Sequence, residues 1–335
     1  ARSPVPGPGL KGADVGPRFA RLSTMACPPE HVLVPVDLSH ASRAGLRVGG
    51  DLARRFDAGL TVLHVESLTA GVMPGTTEEF GRALERHAAS IRGMTEAFCA
   101  ETLSDGPPAE ITVVRSEHVG DAIAEHAGHG SARWICMSSA GSRGWERGHV
   151  GSVTSRVVRV STVPVLSYRS YDSHAFKYDW FRRVLVAADF SAGSRELIEH
   201  GACLAGPSGQ LVLMHAIESA PLTGYGDRTL AVPKQDLAAA EAWAKGKLFD
   251  LARELVEDVD PDVVREPRIV VGRAGERILA MQAELRPDVT VIGTHGRTGV
   301  DPTVLGSVAE QVVRHASGPV LVVPGRAAGA AGETR

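Results

Sequence analysis

The sequence has no apolar run long enough to cross a bilayer, no Cys-x-x-Cys pair and no Gly-x4-Gly-Lys-Ser/Thr phosphate loop. Each absence removes a class of function. A spanning helix needs about 20 consecutive apolar residues, so helical insertion into a membrane is not expected. The opening stretch also lacks the apolar core of a signal peptide, which makes the cytoplasm the expected location. Cys27, Cys99, Cys136 and Cys203 are too scattered for a disulfide framework or a zinc site, and reduced thiols are the expectation. Without the P-loop lysine, magnesium-dependent hydrolysis of that type is not expected. Charge of one sign is missing as well. The 36 Lys and Arg residues nearly balance 39 Asp and Glu, so no global field draws the chain to nucleic acid or an anionic membrane surface.

What is present suits two packed cores: 335 residues, of which 43% are hydrophobic. Residues 1–29 are rich in Pro and Gly without apolar periodicity and read as a disordered leader, and the Ala/Gly-rich tail 326–335 reads the same way. Between these ends the chain repeats itself. His31-Val-Leu-Val-Pro-Val-Asp37-Leu-Ser39 returns as Arg183-Val-Leu-Val-Ala-Ala-Asp189-Phe-Ser191. Thr61-Val-Leu-His-Val65 returns as Leu211-Val-Leu-Met-His-Ala216, and Gly151-Ser152-Val153 as Gly306-Ser307-Val308. The expected units are 30–169 and 183–325, joined by an aromatic connector at 170–182.

Each half opens on a continuous apolar run, such as Val32 to Val36, followed by apolar residues at helical spacing (Ala41, Ala44, Val48, Leu52). Continuous apolar strands alternating with amphipathic helices predict a parallel sheet covered on both faces. The predicted strands of the first half are 32–36, 60–65, 111–115, 133–138 and 163–168; those of the second are 183–188, 211–217, 268–272, 288–293 and 319–323. In such sheets ligands bind beyond the carboxyl ends of the strands, where the winding reverses. The stretch from Tyr168 to Phe181 holds Tyr171, Phe176, Tyr178 and Trp180 between those two aromatics, and either fills the seam between the units or forms a loop.

After the fourth strand of the second half, Gly293-Thr-His-Gly296 is followed by nine residues and then Gly306-Ser307, a Gly-x2-Gly-x9-Gly-Ser pattern. Glycines at this spacing let backbone turn and approach a ligand, and a helix opening at Gly306-Ser307 offers free amides to an anion. The spacing suggests a phosphate cradle without a lysine.

This motif, the strand ends Asp37-Leu-Ser39 and Asp189-Phe-Ser191, and the His-bearing second strand together resemble the universal stress protein family, from about residue 31 to 325. The resemblance implies two tandem Rossmann-like (adenine nucleotide hydrolase-like) α/β domains, each a five-stranded parallel sheet with helices on both faces. It implies ATP as the ligand, with or without Mg2+, a regulatory or stress-response role, and dimerisation through the last strand. Carried over position by position, Asp189 would meet the adenosine part, with Ala188 beside it and the backbone of Ala216 lining the base. Ile292 and Gly293 would flank base and ribose, Gly296 would lie at the turn, and Gly306, Ser307 and Val308 would hold phosphates. The matching first-half positions are Asp37, Val36, Val65, Met137, Ser138, Gly141, Gly151, Ser152 and Val153. The departure is Ser138 in place of the first glycine. Its extra atoms would strain the turn or contribute a hydrogen bond, and weaker nucleotide binding is expected there. If the last strands, 163–168 and 319–323, pair across the halves, one chain reproduces the family's dimer.

Blander roles exist for the same residues. Asp37 and Asp189 would serve as helix caps, and Ser307 with Glu310 reads as an S-x-x-E capping box. His64 and His215 read as buried, hydrogen-bonded histidines, and His126-x-x-His129 as a polar helix end. His295 would touch phosphate or sit solvated in the loop, and Arg143, Arg147 and Arg297 would either pair with phosphates or remain surface charges. No nucleophile, base or metal cluster stands at informative spacing, so a nucleotide-binding regulator that is not an enzyme is the leading reading, with at most slow ATP hydrolysis. Its partners would be ATP or a related nucleotide, an unknown regulatory protein and a second copy in a homodimer. A nucleotide-free scaffold, an adenylate- or phosphoryl-transferring enzyme, and a guanine or cyclic nucleotide in the pocket remain open alternatives.

Overall fold

A computed structural model describes residues 29–67, 78–104, 106–130, 132–139, 150–168, 181–206, 209–218, 236–256, 267–295 and 305–325. The first half runs β1 (His31–Val36), α1 (His40–Phe56), β2 (Gly59–Ser67), α2 (Glu78–Thr102), β3 (Glu110–Ser116), α3 (Val119–His129), β4 (Trp134–Ser138), α4 (Ser152–Val160) and β5 (Val165–Tyr168). The second repeats it as β6 (Arg183–Ala187), α5 (Ser194–Ala205), β7 (Gln210–Ile217), α6 (Leu237–Val256), β8 (Arg268–Val271), α7 (Ala274–Leu285), β9 (Val289–Gly293), α8 (Ser307–His315) and β10 (Val320–Val323). All ten predicted strands are present.

The strands form one sheet in the order β3-β2-β1-β4-β5-β10-β9-β6-β7-β8. Pairing is parallel inside each half, and the seam between β5 and β10 is antiparallel, with Val320 opposite Ser167, Leu321 opposite Leu166 and Val322 opposite Val165. The two last strands thus pair across the halves, as the resemblance implied. Because the seam is antiparallel, the carboxyl ends of the first half's parallel strands point opposite to those of the second.

Side chains alternate between the two faces of this sheet. Val32, Val34, Trp134, Leu166, Val184, Val291 and Leu321 pack with α1, α2, α5 and α6. Leu33, Ile135, Val165, Leu185, Ile292 and Val322 pack with α3, α4, α7 and α8. Both cores cross the seam, which is why the strands read as unbroken apolar runs. Glycine in the middle of a helix costs about 1 kcal/mol relative to alanine, yet Gly49 of α1 and Gly201 of α5 occupy matching places. A Cβ would lie 2.2 Å from Val34 Cγ2 at the first and 2.4 Å from Val186 Cγ2 at the second. Close seating of each helix on its first strand therefore demands the bare backbone.

The halves also touch through side chains. The Trp134 ring, fully buried, lies 5.8 Å from that of His200 in α5 and 6.3 Å from Phe56 in α1. Arg55 of α1 donates to the Leu204 carbonyl at 3.4 Å and lies over the buried Phe181 ring at 5.2 Å. Phe181, one end of the aromatic connector, is thus at the seam. Tyr171, Phe176, Tyr178 and Trp180 fall outside the described residues.

No described helix is long and apolar enough to cross a membrane. Cys99 and Cys136 are free and buried, and burial pushes the Cys99 thiol up to about 11 and that of Cys136 higher still. Cys203 is disulfide-bonded, so the expectation of four reduced thiols fails at that residue.

Trp134→Ala opens a cavity in the core that the halves share and should cost about 3–5 kcal/mol. Differential scanning calorimetry should show the unfolding of both halves moving down together. A shift confined to one of two resolved transitions would mean that the seam does not couple them.

Candidate functional site

The winding of each half reverses between its first and fourth strands, β1 and β4 or β6 and β9, so a crevice opens beyond their carboxyl ends. The predicted site residues come from the two walls of these crevices.

On the first-strand side both halves build the same turn. Asp189 Oδ1 accepts from the Ser191 amide at 3.0 Å, and Phe190 between them has φ 64°. In the first half Asp37 Oδ1 accepts from Ser39 N at 3.0 Å across Leu38, at φ 60°. The left-handed backbone of a non-glycine residue costs roughly 1–2 kcal/mol, and the Asp–Ser bond offsets part of that cost. Neither Asp is a helix cap: Ser39 caps α1, accepting from Ser42 N at 3.2 Å, and α5 starts later, at Ser194.

The halves then differ. Ser194 Oγ donates to Asp189 Oδ1 at 3.1 Å and accepts from the Asp189 amide at 3.2 Å. Asp189 Oδ2 is buried with no hydrogen-bond partner among the described residues. Its counterpart Asp37 is exposed, and Ser42 Oγ, in the place of Ser194, donates instead to the Ser39 carbonyl. His64 and His215 both donate from Nδ1 to the first-strand end, His64 to the Val36 carbonyl at 2.9 Å and His215 to that of Ala188 at 2.8 Å. Both are hydrogen-bonded, as the bland reading held, but only His215 is buried; His64 is half-buried.

On the fourth-strand side each loop is closed by backbone. The Gly306 amide donates to the Thr294 carbonyl at 2.8 Å, and the Gly151 amide to that of Ser139 at 2.7 Å. A Cβ on Gly306 would lie 2.8 Å from the Thr294 oxygen. Glycine is required there because the loop closes on itself, with or without a ligand. Gly306 and Gly151 are the N-caps of α8 and α4, with no side-chain cap bond at either. The capping-box reading is therefore wrong: Ser307 is the exposed first residue of α8, and Glu310 pairs with Arg314 at 2.8 Å. Among the described residues no side chain bonds the first amides of either helix, and such amides favour an anion.

Gly293 ends β9 beside Val323, and Ser138 ends β4 beside Tyr168. Ser138 lies outside the left-handed region, so the feared strain is absent. Thr154 Oγ1 donates to its carbonyl at 2.9 Å, a bond the second half lacks because Ala309 stands there. Val36, Met137, Ala188 and Ile292 are buried, and Val65, Val153, Ala216 and Val308 are half-buried. Ser152, like Ser307, is exposed at the first turn of its helix. His295 shares a hydrogen bond with Thr294 Oγ1 at 2.8 Å, which also accepts from Gly325 N at 2.9 Å. Gly141, Gly296, Arg143, Arg147 and Arg297 fall outside the described residues.

A cavity of about 590 Å³ opens beside the start of α4, between residues 117–121 and Ser152, Val153 and Arg156. Arg156 is tied to Asp121 at 2.7 Å. At the carboxyl edge of β2, Glu66 accepts from Arg115 Nε and His87 Nε2, each at 2.6 Å, and the Arg115 bond leads in holding its carboxyl below the usual 4.5. In the second half Glu218 accepts from the amide of Ala274, the first residue of α7, at 3.2 Å. These carboxylates are occupied, and the described residues hold no cluster of three or more His, Cys, Asp or Glu that could bind a metal. Sequence reasoning missed Ser194 and Thr154; the Asp-to-Ser spacing shared by Asp37–Ser42 and Asp189–Ser194 was the available signal.

The model described as "Universal stress protein family" matches residues 29–169 and again 181–324. A universal stress protein of Mycolicibacterium smegmatis is 27% identical over 303 residues, which cover 87% of this chain and 96% of the relative. Universal stress protein MJ0577 of Methanocaldococcus jannaschii is 26% identical over 153 residues, 43% of this chain and 94% of that protein. Among solved structures, a putative universal stress protein from Pseudomonas aeruginosa superposes with a TM-score of 0.56 at 18% identity, over 88% of this chain and 92% of the other.

Two outcomes follow from the geometry. Gly306→Ala pushes a methyl onto the Thr294 carbonyl and should cost about 1–3 kcal/mol in denaturant unfolding even without ligand; no loss would mean the loop closure is soft. The folded-state pKa of Glu66 is depressed, so its contribution is present above about pH 4.5 and lost as pH falls through the lower folded value. Glu66→Gln should remove that part of the acid limb of stability against pH, and an unchanged limb would show that the carboxylate contributes nothing there.

Proposed function

The chain belongs to the universal stress protein family, and from that premise we propose that it is a nucleotide-binding regulator whose principal ATP site lies in the second half. The observation that carries this reading is the pair of unmatched groups on the two walls of one crevice. Asp189 Oδ2 is a buried acceptor without a described partner, and no described side chain bonds the first amides of α8. A ligand that satisfies both must carry hydrogen-bond donors at one end and negative charge at the other. A nucleotide has amino and hydroxyl groups on its nucleoside and anionic oxygens on its phosphates.

In this reading Asp189 and Ala188, with the backbone of Ala216, would hold the adenosine part, Ile292 and Gly293 would flank it, Gly296 would lie at the turn, and Gly306, Ser307 and Val308 would hold the phosphates. ATP would supply the charge that the α8 amides lack, and Mg2+, where present, would travel with the phosphates. The first half is the weaker site: Asp37 is exposed, and the Thr154 hydroxyl ties down the Ser138 carbonyl. A regulatory rather than catalytic role is favoured because Glu66 and Glu218, the carboxylates at the carboxyl edges of β2 and β7, are engaged in structural bonds and poorly placed to act as bases.

Gly306 is a poor site for a test, since its substitution disturbs the fold. Ser307→Pro is better, because proline is tolerated at the first helical position and Gly306, at φ −60° and ψ 145°, already has the backbone that precedes proline. The change deletes one amide donor and keeps the helix. Calorimetric titration should find ATP binding weakened about tenfold or more by Ser307→Pro and by Asp189→Ala, with Ser152→Pro having a smaller effect. Wild-type protein that takes up no nucleotide would favour the ligand-free scaffold.

A further inference from the structure

We propose that His215 is a positioning residue of the second-half site, and that its hydrogen bond to the Ala188 carbonyl sets how tightly the site grips the nucleoside end of its ligand; this rests on the nucleotide reading above. A carbonyl can only accept, so Nδ1 carries the proton in this bond. The bond is 2.8 Å long and the side chain is buried.

The bond stands where the sheet ends. Ala188 N donates to the Met214 carbonyl at 2.9 Å, and the β6–β7 pairing stops at Ala187 opposite Met214. In the first half the pairing runs one residue further, to Val36 opposite His64. Both histidines bond the first-strand carbonyl, but in the second half His215 does so where the β6–β7 register has ended, and Ala216 is in register only with Val270 of β8. From that fixed carbonyl the chain passes directly into Asp189 and the left-handed Phe190.

The ring is held in turn. Phe190 packs on His215 at a 40° tilt with centroids 4.3 Å apart, and Trp243 of α6 meets Phe190 edge-on at 5.4 Å. Imidazole, phenyl and indole thus brace the residue that follows Asp189, whose Oδ1 is bound by Ser191 and Ser194 while Oδ2 has no described partner. Without the Nδ1 donor the Ala188 carbonyl loses its anchor and the aim of the carboxylate loosens. The α8 amides, on the other wall of the crevice, are unaffected. The predicted defect is confined to the nucleoside end.

The test compares wild type, His215→Phe and His215→Asn, whose amide nitrogen sits close to the place of Nδ1, by calorimetric titration with ATP and with inorganic tripolyphosphate. His215→Phe should bind ATP at least tenfold more weakly while tripolyphosphate affinity is unchanged, and His215→Asn should recover most of the loss. Ligand-free hydrogen exchange should show the Ser191 amide less protected in His215→Phe. ATP affinity equal to wild type, or equal loss of ATP and tripolyphosphate, would overturn the proposal. If wild type binds neither ligand, the nucleotide reading fails on its own, and the positioning claim is decided by the Ser191 amide, whose unchanged exchange would overturn it.

Discussion

The antiparallel pairing of β5 with β10 is the constraint on which the rest of the molecule depends. Three facing pairs of residues join two parallel sheets into one of ten strands. The join extends each hydrophobic core across both halves, so neither last strand has to shield an open edge against solvent or another chain. It also relates the halves as two subunits of a twofold dimer would be related. The carboxyl ends of the strands consequently face opposite ways, and the two crevices open at opposite ends of the sheet. The strands left at the sheet edges are β3 and β8. Any association between copies of the chain must therefore use surfaces other than the seam.

Much of this was legible in the sequence because burial on both faces leaves a coarse signature. The apolar runs Val32–Val36 and Val184–Val186 needed no alternation to mark them as strands, and the duplicated Asp-x-Ser and Gly-Ser motifs placed the ends of the crevice. What was not legible depends on neighbours far apart in sequence. The bond from Thr154 to Ser138, the bond from Ser194 to Asp189 and the end of the β6–β7 pairing all arise from how strand ends meet helices. The Ser307 capping box failed for a related reason. Its local spacing is correct, but closure of the Gly306 amide onto Thr294 makes Gly306 the cap and turns Glu310 toward Arg314. Local pattern and loop closure competed, and closure won because a buried carbonyl without a donor is costly.

The two halves keep one architecture while exchanging volume. Tyr168 at the end of β5 fits because α1 has Gly45 beneath it, where a Cβ would lie 2.9 Å from the phenol oxygen. In the second half the strand residue is Val323, and the helix position is filled by Leu197, whose Cδ1 would lie 3.7 Å from a Cβ on Gly293. Large on strand and small on helix becomes the reverse, and close packing is kept in both.

Fusion into one chain is what permits this divergence. In a homodimer, a substitution that tightens one crevice appears in the other, so both must satisfy the same ligand. Here each crevice has its own residues. The first has Ser138, Thr154 and an exposed Asp37, with the loop carbonyl tied down by a hydroxyl. The second has Gly293, Ala309 and Asp189, its carboxylate braced by Ser194 through one oxygen while the other has no partner among the described residues. Bonds that satisfy a crevice from within leave less for a ligand to gain, because a ligand adds free energy only where it meets groups the fold has left unmatched. The first half bonds its fourth-strand end through Thr154 and leaves Asp37 exposed, whereas the second binds Asp189 through Ser191 and Ser194 and has Ala309 in place of Thr154. One seam thus joins the two cores while each crevice keeps a residue set of its own.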